Sequence, residues 1–113
     1  MMGSKRRRTG PPMSKQYTSF HEFYPFYLSE HRDRTCRRLH FVGTTLGLVM
    51  LALAIVRGQP LWLLVGLIAG YGCAWTGHFF FEKNRPATFT YPLYSFVGDW
   101  VMWKDMLTGR IEF

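Results

Sequence analysis

Imidazoles and carboxylates are sparse in this sequence, and their positions bound the chemistry it can do. His40 lies 17 residues before Arg57, and His78 lies 18 residues after Pro60. If Arg57-Gly58-Gln59-Pro60 is a turn between two antiparallel helices, equal arms bring both rings to one level, about 25 Å from the turn. His31 precedes His40 by nine residues. On one continuous helix that spacing puts them on opposite faces, whereas a break near Asp33 to Thr35 lets His31 fold back toward the mouth of the hairpin. Glu82 follows His78 by one turn and shares its face, and Asp99 comes from a later segment. Several nitrogens and one or two carboxylates then meet in one polar pocket. Such donors suit divalent iron, zinc or copper, and two histidines with one carboxylate and open positions is the usual non-haem iron(II) arrangement for oxygen chemistry. Spacing alone does not name the metal. Interfacial anchoring explains any one of these histidines, with Glu82 paired to Lys83 or Arg85. It explains the set less well, because polar groups at membrane depth are costly without a purpose. His21 reads as a surface residue, and Cys73, five residues deeper than His78, as packing.

The elements that must position these groups follow from the hydrophobic pattern. No ionisable residue occurs from Phe41 to Val56, and between Gly58 and Phe81 the only such switch is His78. A soluble domain this short has too little core to hide two such runs. They are read as a transmembrane hairpin, the first helix capped by Asp33 or Thr35 and the second running from Pro60 to about Lys83. Gly43 and Gly47, and Gly66 and Gly70, are spaced for close approach of helix backbones, although glycine is also simply common in membrane helices. Before the hairpin, Ser19-Phe20-His21-Glu22 has the form of a capping box. It opens an aromatic helix over about Ser19 to Arg32, lying at the interface, with Pro25 as a kink or first-turn residue. After Asn84-Arg85-Pro86, a last helix is expected from Pro92 to Thr108 with Gly109 past its end. Leu93, Phe96, Val97, Trp100, Val101 and Leu107 form its apolar face, and its length leaves open whether it is interfacial or re-entrant. Tyr24, Tyr27, Trp75, Tyr91, Tyr94, Trp100 and Trp103 read as an interfacial belt. The fold class is therefore all-α, an integral membrane helical bundle with a transmembrane hairpin and flanking interfacial or re-entrant helices. The chain divides into a disordered basic leader over residues 1–18, a single helical membrane domain over 19–110, and a tail over 111–113.

Charge supports the same reading. The net charge is +7, with Lys5, Arg6, Arg7, Arg8 and Lys15 in one group and Arg32, Arg34, Arg37 and Arg38 directly before the first apolar run. Beside a membrane span this is positive-inside patterning, which puts the N-terminus and the histidine level on the cytoplasmic side of a bacterial inner membrane or the endoplasmic reticulum. No basic helix with interleaved aromatics follows, so nucleic acid is not an expected partner. Cys36 and Cys73 lie in different settings, and no disulfide is expected. No short apolar core with a cleavage site follows the first basic group, so no signal peptide is expected.

Three stretches resemble one known family. They are Glu30-His31 with Arg38-Leu39-His40-Phe41-Val42-Gly43-Thr44, then Gly77-His78-Phe79-Phe80-Phe81-Glu82-Lys83-Asn84-Arg85-Pro86-Ala87, then Tyr91-Pro92-Leu93-Tyr94-Ser95-Phe96-Val97-Gly98-Asp99. The family is that of the fungal 2-hydroxy fatty acid dioxygenase and its bacterial relatives, and the resemblance covers about Phe20 to Arg110. The third stretch is more like the bacterial branch, and the chain is shorter than the fungal enzymes. The resemblance implies iron(II)-dependent α-oxidation, in which a long-chain 2-hydroxy fatty acid and O2 give CO2 and an acid one carbon shorter. It carries over His31, His40 and His78 as iron ligands. Glu82 and Asp99 are the candidate catalytic carboxylates, and Arg37, Arg38 or Arg85 would hold the substrate carboxylate. Two other classes remain open at this point: a haem electron carrier with His40 and His78 as axial ligands, and a non-catalytic membrane scaffold. The sequence sets no oligomeric state.

Overall fold

The computed structural model describes residues 17–113, and every element in them is helical. Residues 1–16 of the expected leader, with Lys5, Arg6, Arg7, Arg8 and Lys15, lie outside the described residues. Helix α1 runs from Phe20 to Ser29. Ser19 Oγ accepts the Glu22 N–H at 3.1 Å, as a capping box requires, but the Glu22 carboxylate accepts from Thr18 N–H rather than from Ser19. Pro25 lies inside the helix without ending it. The helix stops three residues short of the expected Arg32, because Glu30 and His31 turn their N–H groups back onto Phe26, Tyr27 and Leu28. Helix α2, Arg34–Arg57, starts where Asp33 Oδ1 accepts the Cys36 N–H at 2.9 Å. It ends at Gly58, whose φ of 63° is a left-handed cap.

Helix α3 spans Leu61–Thr76 and continues, with a change of winding, as a π segment over Gly77–Glu82. The uniform α-helix expected to Lys83 is thus corrected over its last turn and a half. Lys83, at φ 62°, closes the segment with its N–H on the His78 carbonyl. Residues Arg34–Arg57 and Leu61–Glu82 are long and apolar enough to cross a membrane, with mean hydropathies of 2.2 and 1.3.

Glycines set the hairpin register. A Cβ on Gly43 would meet the Gly70 carbonyl oxygen at 2.8 Å, and one on Gly66 would meet Met50 Cβ at 2.9 Å. The backbones touch at Gly43 with Gly70, Gly47 with Gly66, and Cys36 with Gly77. The expected helix-packing role of these small residues is therefore real. The register differs from equal counting from the turn, however. The residue facing His40 is near Cys73, and the His78 backbone lies about 7.5 Å farther from the turn.

After a 3-10 turn at Ala87–Phe89, helix α4 covers Pro92–Leu107. Its expected apolar face points outward, and a different set of residues faces in. Leu93 is 71 % exposed and Leu107 60 %, with Phe96 and Val97 also exposed, whereas Ser95, Gly98, Met102, Asp105 and Met106 are buried. Small, polar and sulfur-bearing residues face in because Gly98 must admit the Tyr27 ring, and the large aliphatic groups face out. The only well-buried apolar cluster among the described residues joins Phe23 and Tyr27 of α1 to Ala87, Met102 and Met106. It sits beside the histidine end, so α1 is partly a core element rather than a purely interfacial one.

Candidate metal centre

Three elements deliver three imidazoles to one point. His31 comes from the loop between α1 and α2, His40 from the second turn of α2, and His78 from the π segment. Ring centroids are 4.4 Å apart for His31–His40, 4.5 Å for His31–His78 and 4.8 Å for His40–His78. All three are buried, at 2–3 % exposure. The backbone offset between His40 and His78 is closed by side-chain direction. Helical side chains lean toward the N-terminus of their own helix. His40 therefore leans away from the turn and His78 leans toward it. A π segment at a functional site is a recurrent device for re-aiming a side chain.

Each ring is held by its Nδ1. His31 Nδ1 donates to the Tyr27 carbonyl at 2.6 Å and His40 Nδ1 to the Cys36 carbonyl at 2.8 Å. His78 Nδ1 lies 2.7 Å from Asn84 Oδ1. The Asn84 amide nitrogen donates to the Glu30 carbonyl at 3.0 Å, which fixes its oxygen toward His78. With three Nδ1 protons assigned to oxygen acceptors, the three Nε2 atoms carry lone pairs. This is the pattern of metal-binding histidines, whose second nitrogen is tied to a carbonyl or carboxylate. His31 Nε2 and His40 Nε2 are 3.1 Å apart. Two nitrogens at that separation, each about 2.1 Å from one ion, subtend roughly 95° there. Among the described residues these three histidines form the one group of close, potentially ligating side chains. Burial, then the nearness of His40 and His78, keep the His31 ring well below its ordinary pKa range, hence neutral and able to ligate.

The His31 loop is clamped from the far side. Asn84 holds Glu30, Glu82 Oε1 accepts the Asp33 N–H at 2.6 Å, and Arg37 Nη1 donates to the carbonyls of His31 and Arg32. Burial and the Glu82 charge raise the Glu30 carboxyl above its usual range. Tyr27 stacks on His31 with centroids 4.0 Å apart and donates to Asp99 Oδ1 at 2.5 Å. Its ring lies against Gly98, where a Cβ would come within 2.9 Å. Burial, then the Asp99 charge, push the Tyr27 phenol well above its ordinary range, so it remains a donor. Burial pushes Asp99 up to about 7, against the pull of the Tyr27 hydrogen bond.

Two spaces adjoin the centre. A small one of about 10 Å³ is lined by the three histidines together with Tyr27, Ser95 and Asp99. A larger apolar furrow of about 300 Å³ begins at His40 and Asp99 and runs between α2, α3 and α4 past Gly47 to Leu51 and Leu63. Asp99 lines both.

The structure thus gathers His31, His40 and His78, and brings Asp99 to the same cavity. Glu82 is one turn away, engaged at Asp33. Arg37 has its Nε buried without a partner. Arg38 bonds the Phe113 carbonyl and lies over its ring, and Arg85 lies over Phe89. None of the three arginines lines either space. Tyr27, read from sequence as part of a belt, belongs to the site. Asn84 and Ser95 were missed as site residues. Both occur in the stretches that carry the family resemblance, but an asparagine after a helix reads as a turn residue, and a lone serine carries no signal.

A family model described as 2-hydroxy-palmitic acid dioxygenase Mpo1-like matches residues 17–111. The chain belongs to that family. The match takes in all three histidines, Asn84, Ser95 and Asp99. Searches of curated proteins and of solved structures match nothing.

Proposed function

We propose that this family member is an iron(II)-dependent membrane dioxygenase that shortens long-chain 2-hydroxy fatty acids by one carbon. One observation carries the reading: three buried histidines bring potential ligand nitrogens within 4.8 Å of one another while every Nδ1 is tied to an oxygen acceptor. A purely structural histidine cluster has no need to leave three lone pairs facing one another in a dry site, where unpaired polar atoms are costly. A haem bridge between His40 and His78 fits poorly, since their rings are in mutual contact with no slot for a macrocycle between them. A scaffold role leaves the convergence without a purpose.

The reaction balances without an outside reductant. R–CH(OH)–COOH and O2 give R–COOH, CO2 and H2O, the substrate supplying all the electrons that reduce O2. Bound at the three histidines, iron(II) supplies the oxygen and electron chemistry. The protein binds, orients and excludes water. The apolar furrow takes the alkyl tail and leads its head to His40 and Asp99. Asp99 and Tyr27 form a hydrogen-bonded pair beside the head, and Asp99, at about 7, can hold or release a proton at neutral pH. Glu82 acts through Asp33, fixing the loop that carries His31. The buried, unpartnered Nε of Arg37 makes it the first of the three arginines to test for the substrate carboxylate, ahead of Arg38 and Arg85.

Such a substrate suits a membrane protein. Ile55, Val56, Leu61, Ile68 and Phe80 all face outward on the two long helices, an arrangement suited to lipid. The basic flank before Phe41 puts the histidine end on the cytoplasmic side. The test is anaerobic iron loading, then labelled 2-hydroxypalmitate and O2, with products read by mass spectrometry. Wild type should bind about one iron per chain and release the acid one carbon shorter, and His40→Ala/His78→Ala should do neither. Iron-loaded protein that yields no shortened acid at any chain length overturns the reading.

A further inference from the structure

Ser95 presents an anomaly that the histidines do not explain. It is 2 % exposed, and its Oγ has no hydrogen-bond partner. Buried hydroxyls almost always have one. A helical serine usually finds it at the carbonyl one turn back. That carbonyl, Tyr91 O, accepts the Ser95 backbone N–H at 2.8 Å, and the Ser95 hydroxyl makes no bond to it. The hydroxyl is therefore spare, and it lies one turn before Asp99 on the inner face of α4. Both residues line the small space that is also lined by the three histidines. At about 10 Å³, that space admits roughly one water-sized group and no alkyl chain.

We propose that Ser95 Oγ hydrogen-bonds an oxygen or nitrogen atom of the small polar head bound at the histidine centre, and so is a substrate-contacting residue. The ligand class is an anion or α-hydroxy acid head whose donor atom lies beside the metal. This rests on the reading of His31, His40 and His78 as a metal site, and it adds the group that selects what the metal holds. A hydroxyl suits this task, because it can donate to a carboxylate or azide and accept from a hydroxyl. Sites that leave a polar group unmatched until the right ligand arrives gain specificity from it.

The test uses full-length protein loaded with cobalt(II), whose visible absorption reports ligand binding without turnover. Azide and 2-hydroxypalmitate are titrated separately into wild type, Ser95→Ala and Ser95→Thr. Ser95→Ala should keep its cobalt content and its melting temperature, because it removes only an unpartnered hydroxyl. Its dissociation constant for both probes should rise about tenfold, or about 1.4 kcal/mol, while Ser95→Thr recovers most of the affinity. Unchanged affinity in Ser95→Ala overturns the proposal and leaves the hydroxyl to a structural water. A clear fall in melting temperature also overturns it, since the hydroxyl then has a structural partner. If wild type binds azide but not 2-hydroxypalmitate, the dioxygenase reading fails and Ser95 is judged on azide alone. If wild type takes up no cobalt, both ideas fall together.

Discussion

Asn84 joins His78 of the candidate metal centre to the loop before His31, and its two ends can be tested separately. Its Oδ1 accepts from His78 Nδ1 at 2.7 Å, and its Nδ2 donates to the Glu30 carbonyl at 3.0 Å. Asn84→Ala removes both bonds. Without an acceptor at Nδ1, His78 can rotate or take the other tautomer, which protonates the nitrogen meant for the metal. Loss of such an outer partner typically lowers metal affinity about 10- to 100-fold, or about 1.4 to 2.7 kcal/mol. The freed Glu30 carbonyl is only half-buried and can find water, so the cost to the metal-free fold should be near the low end, about 1 kcal/mol. Asn84→Asp separates the two effects. It keeps an acceptor for His78 but loses the donor to Glu30 and adds a negative charge beside that carboxylate. Its metal affinity should stay within a few-fold of wild type while its metal-free melting temperature falls. Affinity is read by competition with a chelator of known strength, and stability by melting of the metal-free protein. If Asn84→Ala binds metal as tightly as wild type while His78→Ala does not, the tautomer argument is wrong.

Two further outcomes follow from the same geometry. Gly43→Ala should destabilise the fold by an amount typical of overpacking, about 1–3 kcal/mol, read as a lower melting temperature, because its Cβ would lie 2.8 Å from the Gly70 carbonyl oxygen. Gly72→Ala, with nothing within 4 Å of its Cβ, should be neutral or stabilising, so equal effects at the two positions would refute the hairpin register. Gly47→Phe should plug the furrow about 10 Å below His40 while leaving the histidines untouched. The preferred 2-hydroxy acid should then shorten to about eight to ten carbons by competitive turnover assays, at bond lengths near 1.5 Å. An unchanged preference would place the tail elsewhere.

Much of this architecture is determined by sequence alone, because its signals are local. Two long apolar runs, a turn at Gly58-Gln59-Pro60, Ser19 and Asp33 as caps, and Pro92 with Gly109 around the last helix each depend on neighbours a few residues away. The histidines were also legible, since a hairpin with a break before it can gather His31, His40 and His78 in few ways, and the family resemblance names the same three. What the tertiary structure decided depends on contacts between segments distant in sequence. The glycine register set the His78 backbone farther from the turn than equal counting implies, and only side-chain direction and the π segment restored the meeting of the rings. The inner face of α4 was hidden because hydrophobicity points outward here: with large aliphatic groups on the outer surface, Ser95, Gly98 and Asp105 are left to face in. Tyr27 became part of the site because Gly98, more than seventy residues away, left room for its ring. Asn84 became the partner of His78 because Glu30 occupied its other end. No local pattern encodes such pairings, since each is fixed by which helices touch and at what register.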